Sequence, residues 1–307
     1  MESDNENMDS TEISSSNNIN NDENSSNSNN SFDVAIEPES AFPKINTDYL
    51  FNVEYFDEMY TNFLLDEKYS KFKINSNYMN NQNDINYYMR AILIDWIIEV
   101  HHKLFLKRKT LFLTIYIIDL YLSKNTIDKK KFQLLGIACL LSASKIIDLK
   151  FLTVERLVQS TDNSYNKEEL RQKEIEVMKC LNFEVFLPTS EEFYNIISKQ
   201  FKFEGKQHLF GEYILDCSLL DYHLLRYKPS VIGAACAYIV MKYYHINEYT
   251  KLYKSPFTLE NSQQIIVKNC AKELCFMVKN LSDSNTFKSV RKKYSFTKYG
   301  NVADLFK

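Results

Sequence analysis

Met89-Arg90-Ala91-Ile92-Leu93-Ile94-Asp95-Trp96-Ile97-Ile98-Glu99-Val100 decides the fold, because apolar residues run almost all the way round the helix this stretch would form. A helix that is hydrophobic on every side is a buried one. At about 3.6 residues per turn two stripes separate. Met89, Ile92, Leu93 and Trp96 with Glu99 lie along one side, and Ala91, Ile94, Ile98, His101 and Phe105 along the other. Burying both makes this the central helix of a domain, which is what periodicity alone favours. The alternative leaves part of the first stripe open as a groove for an apolar side chain from a partner.

Outward from that stretch the pattern repeats. Helical apolar spacing broken by short polar loops predicts helices over Tyr88 to Leu104, Thr110 to Ser123, Lys130 to Leu149, Thr153 to Ser160 and Asn166 to Leu181. Thr110 and Asn166 are the expected N-caps, the latter with Glu169 completing a capping box. Phe186-Leu187-Pro188-Thr189-Ser190 breaks the pattern, since proline and the residue before it resist helix, and a domain boundary is placed there. A second helical set follows over Ser190 to Gln200, Lys206 to Leu220, Pro229 to Tyr244 with proline in its first turn, Thr258 to Asn280, and near Lys288 to Tyr294. Two helical domains of similar size suggest a duplication, with little residue identity between the halves. Upstream, Leu50, Val53, Phe56, Tyr60, Phe63 and Leu64 form one face of an amphipathic helix over Tyr49 to Leu65, tethered by the polar stretch Lys71 to Asn86. The expected organisation is a disordered tail over 1–45, an N-terminal helix and linker over 46–87, a first domain over 88–187 and a second over 188–307.

Composition narrows the function classes. Only 5 Gly and 5 Pro occur in 307 residues, too few for a fold of tight turns or glycine-lined phosphate loops. The first forty residues hold ten carboxylates and no Lys or Arg, and are Ser- and Asn-rich with scarcely an apolar side chain, a composition that stays disordered. That leaves a formal +7 on the rest of a chain whose total is −3, too mild an excess to predict nucleic-acid binding. With no charged-then-apolar leader and no apolar run of about eighteen residues, a soluble intracellular protein without a membrane span is expected. The 6 Cys are scattered without metal-ligand spacing and read as buried reduced thiols. Catalytic motifs are absent. His101 and His102 splay about 100° apart on a helix and cannot share a metal, reading instead as a core-edge and a surface histidine. Glu168-Glu169 and Glu191-Glu192 fall at predicted helix starts, where the macrodipole favours negative charge. No catalytic residue, cofactor or metal is expected.

Met89 to Trp96 resembles the start of the cyclin box of A- and B-type cyclins. Thr110-Leu111-Phe112-Leu113-Thr114 with Ile117-Ile118-Asp119, then Phe132-Gln133-Leu134-Leu135-Gly136, then Ala143-Ser144-Lys145 are similar to successive helices of that box. Arg90, Asp119, Leu134, Lys145 and Glu174 fall on its five defining positions. Thr161-Asp162-Asn163-Ser164-Tyr165 is closer to the B type, and Ser218 to Tyr222, Tyr227 to Ala235 and Arg291 to Tyr294 resemble the second cyclin fold. The resemblance implies an all-α protein of two tandem five-helix cyclin-box domains, preceded by an N-terminal helix and a disordered tail.

By that resemblance the chain is a non-catalytic subunit, found in nucleus and cytoplasm, that binds and activates a cyclin-dependent kinase catalytic subunit and controls cell-cycle progression around G2/M. A cyclin packs on the kinase's mobile regulatory helix and activation segment, setting the catalytic Lys–Glu pair and the magnesium-binding Asp. Lys145 and Glu174 would contact the kinase, with Tyr55, Met59, Ile146, Phe183 and Val185 as apolar surroundings; the plainer alternative is an internal ion pair between the two, and such a pair can do both. Met89, Ile92, Leu93 and Trp96 would receive the leucine of an Arg-x-Leu substrate or inhibitor, Gln133 its backbone, and Glu99 with Asp162 its arginine. This favours the open stripe over the fully buried helix. Arg90 with Asp119 is implied as a buried structural ion pair. The other readings are a transcription-type cyclin and a cyclin-fold transcription factor. Two departures stand out: Ile146-Ile147-Asp148 follows Lys145 where the family has an aromatic and two acids, and the tail holds neither an Arg-x-x-Leu nor a Lys-Glu-Asn sequence.

Overall fold

In the computed structural model the described residues are 55–70, 73–149, 152–185, 187–247, 261–283 and 286–306, all within a unit that begins at Thr47. The expected tail, the start of the N-terminal helix before Tyr55, Phe186 of the predicted break and the first residues of the helix expected from Thr258 lie outside them. Among the described residues the structure is helical without strands. The helices are α1 (Phe56–Tyr69), α2 (Tyr87–Lys103), α3 (Arg108–Leu122), α4 (Lys129–Ile147), α5 (Val154–Ser160) and α6 (Lys167–Cys180), then α7 (Ser190–Gln200), α8 (Lys206–Ser218), α9 (Pro229–Tyr243), α10 (Asn261–Asp283) and α11 (Ser289–Tyr294).

Two helices sit at the centres, and neither is α2. α4 packs against α2, α3, α5 and α6, while α9 packs against α7, α8 and α10. Each centre is entered through a glycine. A Cβ on Gly136 of α4 would stand 3.0 Å from the side-chain tips of Leu93 and Ile97 of α2. A Cβ on Gly233 of α9 would stand 2.9 Å from Ser190 O and Tyr194 N of α7. In both domains the third helix thus lies against the first at a residue without a side chain, a structural trace of duplication that residue identity does not carry.

Local signals explain the helix ends, with corrections. Asn166 Oδ1 accepts from Glu169 N at 2.9 Å while Glu169 Oε2 accepts from Asn166 N at 2.8 Å, a complete capping box. Thr110, expected as an N-cap, lies inside α3, buried, and its Oγ1 donates to Asp148 Oδ2 at 2.6 Å. Asp148 Oδ1 also accepts from Lys107 N at 3.0 Å, so a carboxylate from the end of α4 supplies the cap that Thr110 does not. Phe105, expected on the core stripe, lies beyond the end of α2 with φ 54° and is 69% exposed. The stretch Lys71 to Asn86, expected as a polar tether, docks: Tyr78 is fully buried in a 3₁₀ turn, and Gln82 Nε2 donates to Leu122 O and Asn125 O at 3.0 and 2.7 Å. The cysteines are free, but Cys180 and Cys275 are only half-buried.

The two domains are joined by charge as well as apolar contact. Arg108 of α3 stands with Nη2 2.6 Å from Asp216 Oδ1 of α8, and Lys293 Nζ and Tyr294 Oη of α11 donate to Asp216 Oδ2 at 2.8 and 2.9 Å. Asp216 has no solvent exposure. Burial is the largest single influence on Glu212 beside it and would raise its carboxyl, but Arg108, His208 and Lys293 together outweigh it and hold that carboxyl at about 2. Asp95 of α2 accepts from Ser289 N and Oγ at 3.1 and 2.8 Å, and Glu67 of α1 accepts from Ser230 N and Oγ at 2.8 and 2.7 Å, fastening both outer helices to the second domain.

Candidate partner-binding surfaces

Lys145 projects from the last turn of α4 and Glu174 from the middle of α6, and the packing of those helices brings them together. Lys145 Nζ donates to both Glu174 oxygens, at 2.7 and 2.8 Å, with the lysine side chain about half exposed. Ile146 beside it is exposed, and so is Phe183, 67% accessible and held out by a left-handed turn with φ 58° that follows α6. Ile175 was not singled out from the sequence, yet it too is exposed, placed between Glu174 and Glu176 on what reads as a polar face. Tyr55, exposed, and Met59, half-buried, belong to the other side of the chain's fold order, where α1 packs against α7. Val185 is buried in the core and offers little surface.

The α2 stripe is split by burial. Ile92 is 45% exposed and Met89 and Trp96 are half-buried, whereas Leu93 is 6% exposed and packs towards Gly136. Trp96 packs against both apolar clusters, the one that runs through the two domains and the smaller one confined to the first. Glu99 is half-buried and its carboxylate lies 2.9 Å from Lys103 Nζ, an exposed i,i+4 pair that a competing arginine could displace at small cost. Gln133 is half-buried on α4; Asp162 is exposed just past α5 with φ 52°. The stripe is therefore neither wholly buried nor wholly open: it is a shallow ridge of Met89, Ile92 and Trp96 seated on Leu93.

Residues 58–186 match the family described as the cyclin N-terminal domain, and residues 188–306 the cyclin C-terminal domain. The chain belongs to the cyclin family. It is 40% identical over 160 residues to Cyclin-B2-1 of Oryza sativa subsp. japonica, covering 52% of this chain and 38% of that protein. To G2/mitotic-specific cyclin-B2 of Gallus gallus it is 32% identical over 222 residues, 72% of this chain and 55% of that one. To G2/mitotic-specific cyclin-B of Hydra vulgaris it is 31% identical, covering 73% and 61%. The chain thus spans 38% to 61% of the length of these relatives. A crystal structure of a viral cyclin from herpesvirus saimiri superposes with a TM-score of 0.63 over 71% of this chain and 97% of that one, at 19% identity, a likeness of fold.

Within this cyclin fold the remaining box positions are structural in geometry. Arg90 donates through Nε and Nη2 to the two oxygens of Asp119, both at 2.7 Å, and through Nη1 to Leu219 O in the second domain at 3.0 Å. Tyr78 Oη donates to Asp119 Oδ1 at 2.8 Å. Leu134 is buried. Tyr78, Arg108 and Asp216 were all missed from the sequence. Only Asp216 carried a signal there, as one carboxylate in the apolar run Tyr213-Ile214-Leu215-Asp216-Cys217. Among the described residues no group of His, Cys, Asp and Glu could hold a metal ion, and no helix is long and apolar enough to cross a membrane.

Proposed function

We propose that this chain is a regulatory subunit, present in nucleus and cytoplasm, that binds and activates a cyclin-dependent protein kinase around the G2/M stage and recruits Arg-x-Leu substrates along α2. The observation that carries it is the Lys145–Glu174 pair, with exposed Ile146 and Ile175 next to its members in sequence and exposed Phe183 just past the end of α6. With the lysine half exposed, the pair adds only about 1 kcal/mol to folding, which leaves it free to serve a partner. Fixed by Glu174, the lysine presents its remaining donor capacity, and the carboxylate its lone pairs, to main-chain groups at the ends of the kinase's mobile helix. The flanking apolar side chains lose water on contact and supply the affinity. The relatives' names, G2/mitotic-specific cyclin-B among them, support the same reading.

The test is activation of a purified cyclin-dependent kinase by the full chain. Lys145→Ala with Glu174→Ala should lower activation by about tenfold or more with the unfolding midpoint nearly unchanged; undiminished activation overturns the reading. For the docking ridge, Ile92→Ala should reduce phosphorylation of an Arg-x-Leu protein substrate while leaving a short peptide substrate unaffected. Equal loss on both would remove the docking role.

A further inference from the structure

Three contacts lay the C-terminal segment alongside α2. The rings of Tyr88 and Phe287 meet at 5.8 Å, Asp95 accepts from Ser289, and the rings of His102 and Tyr299 meet at 6.1 Å. Both pieces of chain run in the same direction, so the ridge of Met89, Ile92 and Trp96 has residues 287–299 along one flank. The far end of that flank is cationic. Lys292 and Lys298 are exposed within reach of half-buried His102, and among the described residues neither is in an ion pair, Lys298 lying only against the Tyr299 ring at 5.9 Å. Lys293, the third lysine there, is engaged by Asp216. Burial, and after it Lys293, Lys298 and Lys292, hold the His102 imidazole below its ordinary range, with no carboxylate acting on it. At the same end of α2, Lys103 depends for its partner on Glu99, in a pair whose lysine side chain is 70% exposed.

We propose that this corner receives an acidic segment, Asp or Glu, lying immediately before the arginine of a docked Arg-x-Leu partner. The inference rests on the docking role proposed for α2. With the leucine on Met89, Ile92 and Trp96 and the arginine on Glu99, the partner runs antiparallel to α2, and whatever precedes its arginine passes Glu99 towards His102. Glu99 to His102 is about 4.5 Å at ~1.5 Å per helical residue, a step that one or two extended residues cover at ~3.3 Å each. Docking itself adds to the positive charge there. The partner's arginine takes Glu99 from Lys103, so a carboxylate just upstream meets Lys103 together with Lys292 and Lys298. A basic residue in the same place meets three lysines and is rejected, which makes the corner a determinant of which Arg-x-Leu sequences dock.

The probes are two fluorescent peptides titrated against the full chain, sharing one Arg-x-Leu and differing only in the residues just before the arginine, Glu in one and Gln in the other. The Glu peptide should bind about fivefold tighter, a gain that shrinks with added salt. Lys292→Glu combined with Lys298→Glu, both exposed positions, should reverse the order of the two peptides and keep the parental unfolding midpoint. Equal binding of the two peptides, or a gain that survives the double variant, overturns this inference and leaves docking on α2 standing. If neither peptide binds, the docking reading falls and takes the acidic flank with it. Duplex DNA that displaces the Glu peptide through the same two lysines overturns it in favour of a nucleic-acid contact.

Discussion

Asp119 accepts from Arg90 and Tyr78 in a site closed to water, so removing it strands a buried guanidinium. Asp119→Ala should cost about 3–5 kcal/mol in urea unfolding, and Tyr78→Phe, which takes one hydrogen bond from a charged acceptor, about 1.5–3 kcal/mol. His101 makes a second prediction. Burial pushes its imidazole down to about 4, against the partial support of a 2.8 Å contact from Nε2 to Lys107 O. The folded chain therefore holds it neutral. Its contribution is fully present above pH 6.5 and is lost as pH falls from 6.5 towards 4, amounting to about 3 kcal/mol at ~1.4 per pH unit. Urea midpoints at pH 7 and pH 5 should differ in the parent and differ less in His101→Gln. Glu67, Asp95 and Glu191, raised by burial, act in the opposite sense because the folded chain protonates them first. At this scale the sequence was readable where a partner is near in the chain, as with Asn166 and Glu169. It misled at Thr110, whose partner Asp148 is 38 residues away, and at Tyr78, one aromatic in an Asn-rich stretch.

Between helices, the two glycine crossings differ in what surrounds them. At Gly136 a methyl group meets the ends of Leu93 and Ile97, which can shift, and the gain in helix propensity of about 1 kcal/mol offsets the crowding. At Gly233 it meets the backbone of Ser190 and Tyr194, which cannot. Gly233→Ala should lose about 1–3 kcal/mol by thermal unfolding, and Gly136→Ala distinctly less; the reverse order would refute the backbone argument. The helices themselves were legible because their apolar faces repeat at helical spacing with only three glycines, Gly136, Gly211 and Gly233, inside them, and the described boundaries shifted by only a few residues. Which helix lies central was not legible. Met89 to Val100 reads as apolar on nearly every side, yet α4 takes the centre because Gly136 lets it approach, and a side chain's absence has no periodicity.

For the whole molecule, the seam around Asp216 is the feature most dependent on long-range placement. Arg108, Asp216 and Lys293 come from three helices far apart in sequence, each an ordinary charge when read alone. Asp216→Ala leaves two cations without their buried partner, and a loss of about 3–5 kcal/mol is expected. Calorimetry checks it, and a stability equal to the parent's would show the cations reaching water. Residues 107 to 110 also join two distant jobs. Lys107 N and Thr110 Oγ1 hold Asp148, three residues past Lys145, while Arg108 holds Asp216 across the domain boundary. The segment is a cross-brace: a partner that clamps the far end of α4 loads the same short piece of backbone that pins the second domain. By reciprocity of linked equilibria, whatever stiffens the seam should raise affinity at Lys145, and occupancy at Lys145 should slow amide exchange at the seam.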